Sequence, residues 1–295
     1  MLRLERVSKT YRVGVFGSGR LEAVRDVSFE VRHGEVLSLI GESGSGKSTI
    51  GRMILRLLAP SAGTISLDGV DVATLRRGRL KEYYRRVQGV FQDPFSAYNP
   101  IFKVDHAFGL IRSEFFPGLS RDEWDAKLAA AIESVSLNPG DVLGRYPHQL
   151  SGGQLQRLLV ARALLLDVDL LVADEIISML DASTRIDVLN LLADLKERGL
   201  GIVFITHDLS LGNYLSDSTV ILRRGRIVEM GATEKVFGDP RHPYTRMLLD
   251  SVPSLREKWT DVDGAPIVDG GGDDESDDEP PRLVEVAADH LVATP

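Results

Sequence analysis

The sequence predicts an α/β fold: a core on a mostly parallel sheet, an N-terminal antiparallel β region and a helical subdomain. Three observations carry this. Buried-type apolar runs at residues 36–40, 170–173 and 202–206 alternate with helical runs at 48–58 and 183–197. Such alternation needs crossover connections and therefore parallel strands. Residues 1–31 instead alternate apolar with polar positions, as in Leu2/Leu4 and Val24/Val27/Phe29/Val31, which marks half-buried strands. Residues 94–166 read as largely helical, entered through Pro94, Asn99 and Pro100 and broken at Asn138-Pro139-Gly140.

The remaining elements follow in order. Gly14-Val15-Phe16-Gly17-Ser18-Gly19 reads as a surface loop, because no strand–turn–helix frame surrounds it as a dinucleotide site requires. Residues 63–68 form a short strand before a turn at Gly69. Residues 219–222 and 226–230 flank Arg223-Arg224-Gly225 as a hairpin, and a short helix over 244–251 closes the body. From about Thr260 the composition turns to Gly, Asp, Glu and Pro, too polar to fold alone.

Charge divides the chain in the same place. The net charge is −8, from 35 basic and 43 acidic residues. Residues 261–295 hold eleven acids against one base, Arg282, which leaves residues 1–260 at +2. The run Asp273–Glu279 reads as a solvated tether, although Leu283-Val284-Glu285-Val286 has the alternation of a strand that docks back on the body. This acidity argues against a duplex-DNA binder. The absence of cysteine excludes a disulfide framework, an iron–sulfur cluster and a thiolate zinc site. No apolar stretch reaches the roughly 20 residues that span a bilayer, and charge interrupts the start, Met1-Leu2-Arg3-Leu4-Glu5-Arg6, too early for a signal peptide. The expectation is a cytoplasmic chain that meets a membrane only through a partner.

Gly41-Glu42-Ser43-Gly44-Ser45-Gly46-Lys47-Ser48-Thr49 matches G-x-x-x-x-G-K-[ST] between a strand and a helix. Glycines let successive N–H groups curl around phosphate oxygens, and the helix N-terminus adds positive potential. Lys47 is placed to reach β- and γ-phosphates, and the Ser48 hydroxyl to ligate Mg²⁺. Such a loop needs a carboxylate at a neighbouring strand end. Leu170-Leu171-Val172-Ala173-Asp174-Glu175 supplies two, Asp174 for Mg²⁺ and Glu175 to orient or deprotonate the attacking water. The fold is thus a P-loop NTPase core.

Leu150-Ser151-Gly152-Gly153-Gln154 narrows the class. With the two motifs above it resembles the ATP-binding subunit of an ABC transporter, over roughly residues 1–255. That resemblance implies that Tyr11 stacks on adenine, and that Gln92 touches Mg²⁺ and links to the membrane partner. It also implies that Ser178-Met179-Leu180-Asp181 is the D-loop, and that His207 lies near the γ-phosphate. Ser151 is a good N-cap, and Gly152 and Gly153 permit close backbone approach. In the family this turn, with Gln154, meets the γ-phosphate bound by an opposing subunit. The other histidines, His33, His106, His148, His242 and His290, lack paired metal spacing and read as structural or surface residues.

Residues 91–100 and 241–249 resemble the oligopeptide/dipeptide importer type, whose relatives also carry nickel and some oligosaccharides. The implied partners are a second ATPase subunit, like or unlike, two membrane permeases and, indirectly, an extracellular solute-binding protein, with ATP and Mg²⁺ and no nucleic acid. The implied location is the cytoplasmic face of the membrane. The expected organisation has a nucleotide-binding core in two parts (1–93 and 167–255), a helical signature subdomain (94–166) and an acidic, flexible tail (256–295). Two positions depart from the family pattern: Ile176 replaces the usual proline after the glutamate, and Met179 an alanine of the D-loop. They motivate a second reading, a slow or regulatory subunit of a heterodimeric pair. A third, a soluble ABC ATPase acting on ribosomes or DNA, is disfavoured by the single cassette and the lack of sustained heptads.

Overall fold

Two sheets position everything else in the computed structural model, which describes residues 1–13, 19–251 and 282–294. Residues 14–18 of the glycine-rich loop and the run Asp273–Glu279 lie outside the described residues. The first stretch comprises β1 (Leu2–Val13), β2 (Gly19–Val31), β3 (Val36–Ile40), α1 (Lys47–Ile54), β4 (Ala62–Leu67), β5 (Val70–Asp71), α2 (Arg77–Arg86) and β6 (Val87–Val90). A helical stretch follows: α3 (Asp105–Phe115), α4 (Arg121–Glu133), α5 (Pro139–Val142) and α6 (Gly152–Leu164). The chain then alternates through β7 (Leu170–Asp174), α7 (Ala182–Glu197), β8 (Gly201–Thr206), α8 (Leu209–Leu215) and β9 (Ser218–Arg223). It ends with β10 (Arg226–Ala232), α9 (Thr233–Gly238), α10 (Pro243–Asp250), β11 (Leu283–Ala287) and β12 (His290–Ala293).

The N-terminal sheet is antiparallel, in the order β2-β1-β4-β5. The larger sheet runs β11-β12-β10-β9-β3-β8-β7-β6. Its strands from β9 to β6 are parallel, as the apolar runs predict, and β10, β12 and β11 add antiparallel pairs. Every residue of β3, β7 and β8 is buried, the expected condition of a sheet covered on both faces.

The parallel register decides where chemistry can occur. Ile40 pairs with Thr206, Asp174 with Ile205, and Val90 with Ala173. The carboxyl ends of β3, β8, β7 and β6 therefore lie along one edge, where open α/β sheets bind ligands. One core joins the helical stretch to this sheet through Phe108, Trp124, Leu158, Leu192 and Phe204. A second lies between α1, the N-terminal sheet and the opposite face, around Leu4, Val27, Ile54 and Val172. A third, smaller one seats α10 against β3 and β9 through Tyr244, Ile40 and Ile221. Among the described residues no helix is long and apolar enough to cross a membrane.

The structure differs from the expected tail 256–295 at its far end. Residues 283–293 form a hairpin whose inner strand pairs with β10, Glu229 opposite Val292 and Gly231 opposite His290. A hairpin needs no core of its own when an existing sheet edge supplies backbone partners. The strand-like alternation at Leu283–Val286 is the part of the sequence that carried this.

Candidate nucleotide site

The loop between β3 and α1 is shaped by its glycines and by the turn behind it. Gly41 has φ 154°, and a Cβ there would lie 2.1 Å from the Leu222 carbonyl oxygen. Gly46, the N-cap of α1, has φ 106°, and a Cβ would lie 2.5 Å from the Ala23 carbonyl oxygen. Neither place admits a side chain. The Gly225 N–H donates to the Ser45 carbonyl at 3.0 Å, so the β9–β10 turn supports the loop from outside. No side chain caps α1, whose first N–H groups are left for an anion.

Lys47 is buried and folds over its own loop, donating to the carbonyls of Gly41 (2.6 Å) and Glu42 (2.8 Å). Burial lowers its pKa, and the charges of Glu175, Asp174 and Glu42 oppose that shift. Across the edge, the Ser48 hydroxyl donates to Asp174 Oδ1 at 3.1 Å. Burial raises the Asp174 pKa, and the Ser48 hydrogen bond partly offsets it. A buried carboxylate beside a hydroxyl is a hard oxygen donor set. It suits Mg²⁺, which binds through one or two carboxylates together with substrate phosphates. Ser48 and Asp174 fit that ion.

Glu175 follows β7 with φ 51°, a left-handed conformation that costs a non-glycine residue roughly 1–3 kcal/mol and clusters at functional sites. Three bonds hold it. Its N–H donates to Ile205 O (2.9 Å), while the N–H and hydroxyl of Ser178 donate to its carbonyl at 3.2 and 2.9 Å. Its carboxylate lies 3.4 Å from His207 Nδ1, just beyond β8. Gln92 is exposed two residues past Val90, the last residue of β6, which pairs with Ala173 of β7. Lys47, Ser48, Asp174, Glu175, His207 and Gln92 thus share one edge; Ser43, Gly44 and Thr49 complete the loop and first turn beside them.

Other expected site residues stand apart. Tyr11 is half-buried on β1, opposite Leu21, with the Lys9 ammonium 5.5 Å from its ring centre. Two residues along that ladder, Lys9 pairs with Val24, and Val24 and Ala23 touch Gly46. Tyr11 is therefore on the strand pair that borders the phosphate loop. Ser151 N-caps α6 in a capping box with Gln154, at 3.1 and 2.9 Å. The two glycines that follow it adjoin α7, Leu180 and Phe95: a Cβ on Gly153 would lie 2.4 Å from Thr184 Cγ2, and one on Gly152 within 4.0 Å of Leu180 and Phe95. Asp181 N-caps α7, bonded by Ser183 and Thr184, which hold its pKa far below the usual carboxylate range.

The departures from the family pattern have clear positions. Ile176 is buried in the main core with Ile177 and Leu180, so packing anchors the turn where proline would stiffen it. Met179 is 61% exposed on the D-loop. Sequence reasoning gave no role to Gly225 or to Tyr244, whose hydroxyl accepts the Glu42 N–H at 3.2 Å. Its signal was the Arg241-His242-Pro243-Tyr244 stretch, read there only as a mark of subtype.

Comparison with known proteins agrees with this geometry. The ABC transporter family model matches residues 24–178, and the model for the oligopeptide/dipeptide transporter C-terminal region matches residues 228–268. The chain is 45% identical over 239 residues to a putative peptide import ATP-binding protein of Brucella ovis, covering 80% of this chain and 74% of that one. It is 42% identical over 260 residues to the oligopeptide transport ATP-binding protein OppD of Mycobacterium tuberculosis, covering 86% of this chain and 42% of that one. A dimeric, post-hydrolysis ATP-binding cassette bound to ADP and Pi superposes with a TM-score of 0.70 at 27% identity, over 79% of this chain and 99% of the other. The chain belongs to the ABC transporter family, as one of its ATP-binding cassettes.

Proposed function

We propose that this chain is the ATP-hydrolysing subunit of an ABC importer of the oligopeptide type, working through membrane permease partners at the cytoplasmic face of the membrane. The register that sets Ser48 on Asp174 and His207 on Glu175 along one sheet edge carries this reading. The C-terminal match and the peptide-import names of the relatives support the subtype and peptide as cargo.

In this reading the phosphate loop binds ATP through its inward N–H groups and the Lys47 ammonium. Ser48 and Asp174 would hold Mg²⁺, which when bound would supply charge neutralisation on the phosphates. Glu175 takes the proton of the attacking water as its oxygen bonds to the γ-phosphorus and the bond to ADP breaks. His207 holds Glu175 and the departing phosphate in place. Tyr11 stacks on the adenine. The Ser151-Gly152-Gly153 turn and Asp181 serve the site of a second cassette, so two ATP molecules close a dimer. Gln92 and its neighbours pass that closure to the permease.

The test is uptake of a labelled oligopeptide into vesicles holding the permeases, the solute-binding protein and this chain. ATP-dependent uptake that disappears with Glu175→Gln supports the assignment. Full Glu175-dependent ATPase activity without uptake of any peptide overturns the cargo. Co-purification with ribosomes in place of permeases overturns the importer.

A further inference from the structure

We propose that the Tyr244 hydroxyl is a positioning group for the phosphate loop, through which α10 sets nucleotide affinity. The inference rests on the phosphate-cradle reading above.

The start of α10 is fixed from below. The buried Glu229 carboxylate accepts the N–H groups of Arg241 (2.8 Å) and His242 (3.0 Å). His242 Nδ1 then accepts the Tyr244 N–H at 3.1 Å as the helix N-cap. On its other side Glu229 meets His290 Nε2 at 2.7 Å, which ties the C-terminal hairpin to the same point. The Tyr244 ring is packed with Ile40, Ile221 and Val228, and the Arg223 guanidinium lies 5.0 Å from its centre. Backbone, cap and packing leave the hydroxyl in one place.

That place is the first peptide of the phosphate loop. The hydroxyl accepts the Glu42 N–H at 3.2 Å. The same peptide unit carries the Gly41 carbonyl, to which Lys47 Nζ donates at 2.6 Å. The Gly41–Glu42 peptide is therefore held by Tyr244 at its N–H and by Lys47 at its oxygen. The next carbonyl, of Glu42, takes both Lys47 Nζ (2.8 Å) and the Ser45 N–H (3.1 Å). Lys47 must turn from these oxygens toward phosphate when ATP binds. Tyr244 keeps the peptide plane, and so the curvature of the loop, while it does. Burial pushes the phenol pKa up, so the group is neutral at physiological pH. Tyr244 belongs to the region matched by the oligopeptide/dipeptide C-terminal model, whereas the loop belongs to the general cassette match. The bond thus joins a subtype-specific segment to the shared cradle.

The experiment measures equilibrium binding of a fluorescent ATP analogue with Mg²⁺, steady-state ATPase kinetics and thermal unfolding without nucleotide, all on the full chain. Loss of one hydrogen bond of this kind changes an equilibrium about 2- to 12-fold. Tyr244→Phe is expected to raise the nucleotide Kd and the KM by that factor, with kcat nearly unchanged. Thr245→Val is the control: Thr245 is buried on the same helix, its hydroxyl has no hydrogen-bond partner, and its removal leaves the Kd unchanged. An unchanged Kd in Tyr244→Phe overturns the proposal, whether or not the melting temperature falls. An equal rise in Thr245→Val overturns it too, by showing general loosening of α10. Binding that survives Lys47→Ala instead overturns the cradle reading itself, which separates the two failures.

Discussion

The phosphate loop and the signature turn are both glycine-rich turns that open a helix, yet they treat their helix ends in opposite ways. α1 begins at Gly46 with no side-chain cap, and the nearby polar groups are buried and charged: Lys47, Asp174 and, partly, Glu175. α6 begins at Ser151 with a reciprocal capping box to Gln154, at an exposed surface. The first helix end has no side-chain cap and stores burial cost; at the second, Ser151 caps the Gln154 N–H. Under the proposed function, one chain carries one half-site built to need a ligand and another half-site stable without one. That division is what a site shared between two cassettes requires.

The largest test is on the charged half. Glu175→Gln keeps shape and the backbone bonds of Glu175 but removes the base. General-base groups contribute about 10²–10⁴-fold, so kcat should fall by that factor with nucleotide affinity held within about twofold. The closed, ATP-bound dimer should accumulate on size-exclusion chromatography. Turnover near the wild-type rate would take Glu175 out of the chemistry and leave the two halves undistinguished.

The next effect belongs to the signature half. Gly153→Ala drives a methyl into Thr184 Cγ2, which sits 2.4 Å from the new Cβ. Overpacking of this kind costs about 1–3 kcal/mol. Thermal unfolding of Gly153→Ala against Gly153→Ala/Thr184→Ser reads it, since serine removes the clashing methyl. If the double variant recovers no stability, the close contact of α6 with α7 is not what demands glycine.

Both halves were legible in the sequence because each is contiguous: a helix start, its glycines and its polar residues lie within nine positions. The strand ends were legible too, since apolar runs such as 170–173 stop just before the acidic pair Asp174-Glu175. Contacts between distant segments were not. Glu229 and His290 are 61 positions apart, and their pairing makes the last part of the acidic tail a strand of the main sheet. Composition averaged over the tail hides this, because a docked hairpin borrows its partners from β10 and needs few apolar residues. Tyr244 was hidden for the same reason: its function lies in one oxygen placed by four other elements. The expectation of a flexible tail over 256–295 therefore does not describe residues 283–293, which are paired into the main sheet.

A third test addresses the stored cost. Burial raises the Asp174 pKa, so its contribution to apo-chain stability is full below the unfolded pKa of about 3.9 and lost as pH rises through the folded value. Burial makes the ionised carboxylate the costly form. Asp174→Asn, with no nucleotide present, is expected to stabilise the chain by about 0.5–2 kcal/mol, the size of common single stabilising substitutions. It should also remove Mg²⁺-dependent nucleotide affinity. A variant less stable than wild type at pH 7 would mean that Asp174 is already compensated and that the charged half stores nothing.

The smallest effect discriminates most. Ser151→Ala removes one exposed cap and should cost about 0.5–1 kcal/mol in thermal unfolding. Its consequence for nucleotide depends on which chain the turn serves. The Ser151 side chain hydrogen-bonds Gln154, and its turn adjoins Leu180, Phe95 and Thr184. Binding of ATP to the isolated chain should therefore be unchanged. ATP-driven dimer formation, measured in a Glu175→Gln background, should weaken, because the opposing nucleotide loses a hydroxyl partner and the helix end its fixed orientation. A Ser151→Ala chain that binds ATP more weakly as a monomer would place the signature in its own chain's site. The capped helix end would then be part of the same half as the uncapped one.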